Sequence, residues 1–322
     1  MAKESGQEIS FIVPIACLMA IEIILGAISS LSVVLVYWKK RQVRNVANLF
    51  ITHLAILDCA ICFLSIPFTI VLLGFKPLHS RILCCGHESV TSSLRNTSFL
   101  TLIVICHDRY TSITTPFRLR FNSAKATKVL VALWLSFLFS LGIPFIEWHR
   151  FNDNFDSIPC NQWFTNSPRR LYFRLYYLPV FLICGGIILP SYWKISKAAI
   201  SRVNTQSMVV WASISVVQNI NTMYPRPYEN SYLRQREMRI AKMTGAIICT
   251  VCVLWLPYMI LSFIMFFLEP SELLSLLEFV FLVLGYLTCI LNPLLYAFSK
   301  QKFRLAFFRV LPACKRVSGD GN

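Results

Sequence analysis

Residues 99–110 read "FLTLIVICHDRY". Eight residues whose only hydroxyl is Thr101 run directly into His107, Asp108, Arg109 and Tyr110. An acid, a base and a phenol side by side where an apolar run stops mark the edge of a hydrocarbon layer, because charge inside such a layer costs free energy that water or a counter-charge recovers at its border. The stretch raises two readings together: a chain that lives in a membrane, and an ion pair set at the membrane's rim.

The remainder of the chain bears on the first. Its 322 residues are 56% apolar and 14% charged, against about 25% charged in ordinary soluble domains, and the mean hydropathy is +0.60. Seven apolar runs, at about 11–38, 49–75, 89–106, 129–146, 171–193, 243–267 and 273–298, have the roughly twenty residues that cross a bilayer as a helix. The expected fold is all-α, a seven-transmembrane helix bundle forming one domain over residues 1–322. A short amino-terminal segment (1–10) and a short tail (300–322) flank it.

Seven crossings put the termini on opposite sides. Of 31 Lys and Arg residues, 23 fall in the segments following spans one, three, five and seven, Arg109 included; seven lie toward the other face, counting Arg174 at the start of span five, and Arg95 lies within a span. Short loops rich in bases stay on the cytoplasmic side, so the amino terminus is expected outside and the carboxyl terminus inside, in a multi-pass plasma-membrane protein. A net charge of +16 would otherwise point to nucleic acid. Divided among short loops between apolar spans, it argues against a nucleic-acid partner. The first ten residues are polar and the first apolar run is too long for a signal core, so span one is expected to serve as its own anchor.

The inner segment from about 196 to 239 carries prolines and charges and is expected to be loop. Within it "SMVVWASISVVQN" (207–219) is too short to cross and is assigned to the membrane surface. After span seven, "SKQKFRLAFFRVL" (299–311) alternates bases with Phe303, Leu305, Phe307 and Phe308, the pattern of a short amphipathic helix against inner membrane lipid. Most of the twelve cysteines lie inside spans, as small apolar residues. Cys84, Cys85 and Cys160 lie on the outer, oxidising face, where a bridge from Cys84 or Cys85 to Cys160 is expected. Cys314 in the basic tail can carry a palmitoyl chain or remain unmodified. The "NTS" at Asn96 falls inside span three, out of reach of glycosylation.

Ionisable groups inside spans are costly and therefore face the bundle interior. Asp58, in "LAILDCA", sits near the middle of span two, with Ser98 and Asn292 as candidate neighbours. An acid ringed by hydroxyl and amide oxygens can hold a small cation such as sodium, or make a packing contact. In "LNPLLY" Pro293 removes a backbone hydrogen bond and kinks span seven, while Asn292 helps satisfy the freed groups. In "LWLPY" Trp255 stands just before Pro257. Two kinked helices can pivot about their bends, giving discrete open and closed states. Glu237, in "QREMRIAKM", lies at the inner end of span six. If spans three and six pack there, Arg109 bridges Asp108 and Glu237 in a partly dry setting and forms a latch; the alternative is an ordinary interfacial charge cluster. Arg95, in "SVTSSLRNTSF", needs a partner: Glu88, seven residues earlier on the same helical face, or Glu278. Otherwise it offers an anchor to an anionic ligand group. Glu22 in span one has no assigned role.

These motifs, in this order and at these separations, resemble a rhodopsin-like, class A G-protein-coupled receptor over nearly the whole chain: "LAILD", "HDRY", Trp134, "LWLPY" and "NPLLYAF". A narrower resemblance, to an orphan member of that family, rests on "LCCGHE", "IPFIE" and "LLYAFSKQKF". The resemblance implies a heterotrimeric G protein as partner and an extracellular ligand of unknown identity. It assigns switching and coupling to Asp108, Arg109, Tyr110, Glu237, Trp255, Pro257, Asn292, Pro293 and Tyr296, with Arg109 and Tyr296 in an inner cleft for the G protein's carboxyl-terminal helix. It also implies an allosteric sodium ion at Asp58, Ser98 and Asn292 with no other cofactor, Cys84 rather than Cys85 as the partner of Cys160, and a ligand pocket at Thr91, Arg95, Trp255 and Glu278. Thr91 takes the place where amine receptors carry an aspartate, which argues against a biogenic amine.

The chain departs from the family pattern at several positions. Ser29 and Ser30 replace a Gly-Asn pair, Leu254 a cysteine and Thr288 an asparagine; Pro179 and Pro190 stand at unusual distances before Tyr192; Phe99 and Val251 replace an isoleucine and a phenylalanine. These changes leave room for a constitutively active receptor.

Other classes fit less well. A transporter or channel would route ions past Glu22, Asp58 and Arg95, yet the chain has no inverted repeat or mirrored pair of broken helices. An intramembrane enzyme needs a serine or paired-aspartate constellation or an H-E-x-x-H spacing, and the sequence offers none, so no enzymatic activity is expected. A receptor-like protein that traffics or pairs without G-protein coupling is the remaining alternative.

Overall fold

A computed structural model describes residues 2–41, 44–74, 81–114, 122–150, 176–194, 197, 227–265, 267 and 271–299, several helix ends, including 227–241, as backbone only. Nine α-helices appear among them: α1 (Ala2–Lys39), α2 (Val46–Ala60), α3 (Ile66–Gly74), α4 (Arg81–Thr114), α5 (Ser123–Arg150), α6 (Leu178–Lys194), α7 (Pro227–Ile264), α8 (Glu272–Tyr286) and α9 (Thr288–Ser299). Together they trace the seven spans, with α2 and α3 forming the second and α8 and α9 the seventh. Five stretches have the length and hydropathy of a membrane crossing: Ile12–Lys39, Asn48–Leu72, Ser123–Phe145, Lys242–Ile264 and Leu276–Tyr296. The apolar Leu178–Lys194 is shorter.

The fourth helix is not among the five, and its position explains why. It packs against α2, α5, α7 and the turn between α2 and α3, and Ser89, Thr91, Ser92, Ser93, Asn96 and Thr97 along it are all buried. A helix surrounded by other helices can carry polar groups provided they find partners within the bundle. The outward faces are the apolar ones: Phe139 is 65% exposed and Leu182 60%. Apolar outside and polar inside is the arrangement a hydrocarbon solvent favours.

Two spans are interrupted, the first of them beside a proline. Pro67 has no N–H to give the carbonyl four residues back, and the chain just ahead of it widens into a π turn, Ile61–Ser65, in which the Ile66 N–H bonds the Ile61 carbonyl. Span seven breaks at Leu287, whose N–H turns to the Gly285 and Leu284 carbonyls, and restarts as α9, which contains Pro293. Asn45 caps α2, its side-chain oxygen accepting the Asn48 N–H at 2.8 Å.

Two boundaries differ from expectation. Residues 2–10 continue α1 as helix, and α7 begins at Pro227, inside the segment expected to be loop as far as 239. Proline is well placed in a first helical turn, where its missing N–H has no partner to lose. The charges that follow exclude that stretch from hydrocarbon but not from helix. The 207–219 segment, Cys160, the amphipathic stretch after span seven and Cys314 lie outside the described residues.

Candidate functional site

Three levels of the bundle carry the polar groups. In the half of the bundle nearer the start of α4, Arg95 is 4% exposed, and its guanidinium lies over the faces of Trp255 and Tyr258 at 4.8 and 4.9 Å. A desolvated cation over two aromatic faces gains about 2 kcal/mol or more. Glu88 acts on Arg95 electrostatically without forming an ion pair, and the guanidinium Nη1 has no hydrogen-bond partner among the described residues. Glu278, the other acid considered for Arg95, is buried and accepts a hydrogen bond from Ser262 Oγ at 2.6 Å. Thr91, one turn before Arg95, is buried, and its hydroxyl is unbonded among the described residues.

Trp255 is the hub of this level. Its ring meets Phe99, Tyr258 and Tyr286 edge-on at 6.2, 6.0 and 6.4 Å. Gly285 lets α8 come this close, since a Cβ there would stand 2.9 Å from two ring carbons. Arg95 thus joins α4 to α7 directly through Trp255 and Tyr258, while Glu278 meets α7 farther along, at Ser262.

At mid-depth, Asp58 and Asn292 both line a cavity of about 10 Å³ with Leu102, Thr244 and Pro293, room for about one water-sized particle. Asp58 Oδ2 and Asn292 Oδ1 lack hydrogen-bond partners among the described residues. Ser98 is not on the cavity wall and donates to the Leu94 carbonyl of its own helix at 3.0 Å. Glu22 is 1% exposed, and neither carboxylate oxygen has a hydrogen-bond partner among the described residues.

At the far end of α4, Arg109 is 5% exposed and its Nη2 donates to Asp108 Oδ2 at 2.7 Å. Its Nε has no partner among the described residues. Tyr296 is buried within electrostatic reach of Arg109, and Tyr110 is half-buried. The side chains of Glu237 and Cys84 lie outside the described residues, so neither the second arm of the latch nor the bridge enters this geometry.

Several buried contacts escaped the sequence reading. Pro293 lacks the N–H that would bond the Cys289 carbonyl; Ser30 Oγ donates to that carbonyl from α1, at 3.3 Å. Thr69 Oγ1 contacts His87 Nε2 at 2.8 Å and the Tyr286 hydroxyl at 3.3 Å, tying α3, α4 and α8 together. His53 joins Thr101 at 3.2 Å and meets the Trp134 ring edge-on at 5.5 Å. Asn96 donates to Ser140 at 3.1 Å and Tyr176 at 3.2 Å. Only Ser30 and Pro293 left a signal in the sequence, a hydroxyl in one span and a missing donor in another.

The profile of the 7 transmembrane receptor (rhodopsin family) matches residues 29–296. Among similar proteins, G-protein coupled receptor 22 of Homo sapiens is 28% identical over 94% of this chain and 80% of its own length. The histamine H2 receptor of Cavia porcellus is 26% identical over 96% of this chain and 82% of its own. The 5-hydroxytryptamine receptor 1B of Mus musculus is 24% identical over 92% and 86%.

Proposed function

Because the chain belongs to the rhodopsin family of seven-transmembrane receptors, we propose that it sits in the plasma membrane, amino terminus outside, and activates heterotrimeric G proteins at its inner face. The buried Asp108–Arg109 pair supports this most strongly. A guanidinium held by one carboxylate at the end of the central helix keeps a donor in reserve, and opening span six about Pro257 would hand that donor to a partner helix. Arg109 and Tyr296 line the cleft so formed, and Glu237 supplies the closed state's second hold.

The outer level, Thr91, Arg95, Trp255 and Glu278, receives the extracellular ligand. A hydroxyl at Thr91 and a cation at Arg95 suit an amine poorly, unlike the ligands named for the histamine and 5-hydroxytryptamine receptors. Asp58 and Asn292 are the acid and amide that would hold a sodium ion. Cys84 and Cys160 form the outer bridge and Cys314 carries a lipid chain.

The test is nucleotide exchange across the G-protein families with the receptor expressed alone, beside Arg109→Ala at matched surface expression. Basal exchange on at least one G protein, abolished by Arg109→Ala, is expected. Unchanged exchange in the variant, or none in any family, would sink the assignment.

A further inference from the structure

A second cavity, of about 210 Å³, lies between α4, α5 and α6 on the flank of the bundle. Val104, Cys106, Val129 and Ile187 form its wall, and His107, Tyr110 and Ser191 supply its polar groups. It has the volume of roughly seven waters at about 30 Å³ each, but an apolar cavity of this size stays dry and takes apolar ligands. Ile187 is 47% exposed and His107 is exposed, so the cavity opens outward, toward lipid, rather than into the bundle.

The surroundings specify the occupant's charge. Lys125 lies four residues before Val129 and Lys194 three after Ser191, each on the helical face of the lining residue and each exposed. Both lie one turn beyond the cavity, at the same end. An apolar slot with two bases above its polar rim matches an acyl chain joined to an anionic headgroup.

We propose that this cleft is a binding site for one anionic phospholipid of the bilayer, its chain between α4, α5 and α6 and its phosphate on Lys125 and Lys194. The inference rests on the membrane placement of the chain, not on G-protein coupling. Bound there, the lipid would brace the joint at which Cys106 Sγ donates to the Ile188 carbonyl at 3.9 Å.

Native mass spectrometry of the purified full chain, loaded with phosphatidylserine or phosphatidylcholine, tests this directly. Wild type should retain one phosphatidylserine with roughly tenfold or greater preference, the weight of two bases at an anionic surface. Lys125→Gln with Lys194→Gln, both surface changes, should erase the preference, and Ile187→Trp should reduce retention of both lipids. Glycerophosphoserine, which has no chains, should displace nothing. No preference in wild type, an unaltered preference in the lysine variant, unaltered retention in the tryptophan variant, or displacement by the chain-free headgroup would each overturn the proposal.

Discussion

Ser30 and Pro293 are separated by most of the chain yet answer each other through one carbonyl. Proline at 293 leaves the Cys289 oxygen without its helical donor, and the Ser30 hydroxyl supplies one from α1. Hydrogen bonds of this kind inside membranes contribute about 0.6 kcal/mol on average and at most about 1.7. Ser30→Ala should lower the unfolding free energy of the purified receptor by that amount. In a Pro293→Ala background, where the alanine could donate its own N–H, the same change should cost close to nothing, the coupling a double-mutant cycle isolates. Equal costs in the two backgrounds would show that the hydroxyl serves something other than the freed carbonyl. Arg95 makes a related point. Sequence argues only that a buried cation needs a partner, and the obvious candidates are acids. Its principal contacts are the two rings of α7, because Trp255 and Tyr258 stand three residues apart and present neighbouring faces to α4.

Between elements, close approach decides what packs. Gly245 of α7 lies directly beneath the Tyr192 ring of α6, so any Cβ at 245 would overlap the ring and its hydroxyl. Gly245→Ala should therefore force α6 and α7 apart and destabilise the receptor by about 1–3 kcal/mol, the usual penalty of overpacking. Tyr192→Ala should relieve most of that cost in the double variant; thermal unfolding of the four proteins in detergent would show whether it does, and additive losses would place the clash elsewhere.

The same contrast explains what the sequence could convey about elements. Seven apolar runs, the HDRY pair and the prolines of spans six and seven are legible because each is written in consecutive residues. The π turn ahead of Pro67, the break at Leu287 and the Thr69–His87–Tyr286 junction are not, since they depend on which residues of distant spans share a level. Ser98 falls between these cases: its position in span three put it near Asp58, but its hydroxyl bonds within α4, away from the cavity that Asp58 and Asn292 share.

For the molecule as a whole, charge and hydropathy act along perpendicular directions. Apolar residues face outward around the bundle, while 23 of 31 Lys and Arg lie in the segments expected inside. Moving bases across a hydrocarbon core is opposed during insertion, so those segments are expected to stay in the cytoplasm. An epitope tag fused before residue 1 should then stain on intact cells, whereas one inserted after Arg120 should stain only after permeabilisation. Lys39, Lys40, Arg41 and Arg44 follow the first span, which usually dominates orientation. Replacing all four with Gln should produce a measurable fraction of inverted chains, read as tag-120 staining on intact cells. If the wild-type pattern is reversed, the inner and outer levels of the site exchange roles, and Arg109 can no longer meet a cytoplasmic partner. If the four-Gln chain stays fully oriented, the remaining inner bases suffice, and orientation is a property of the whole charge distribution rather than of its first loop.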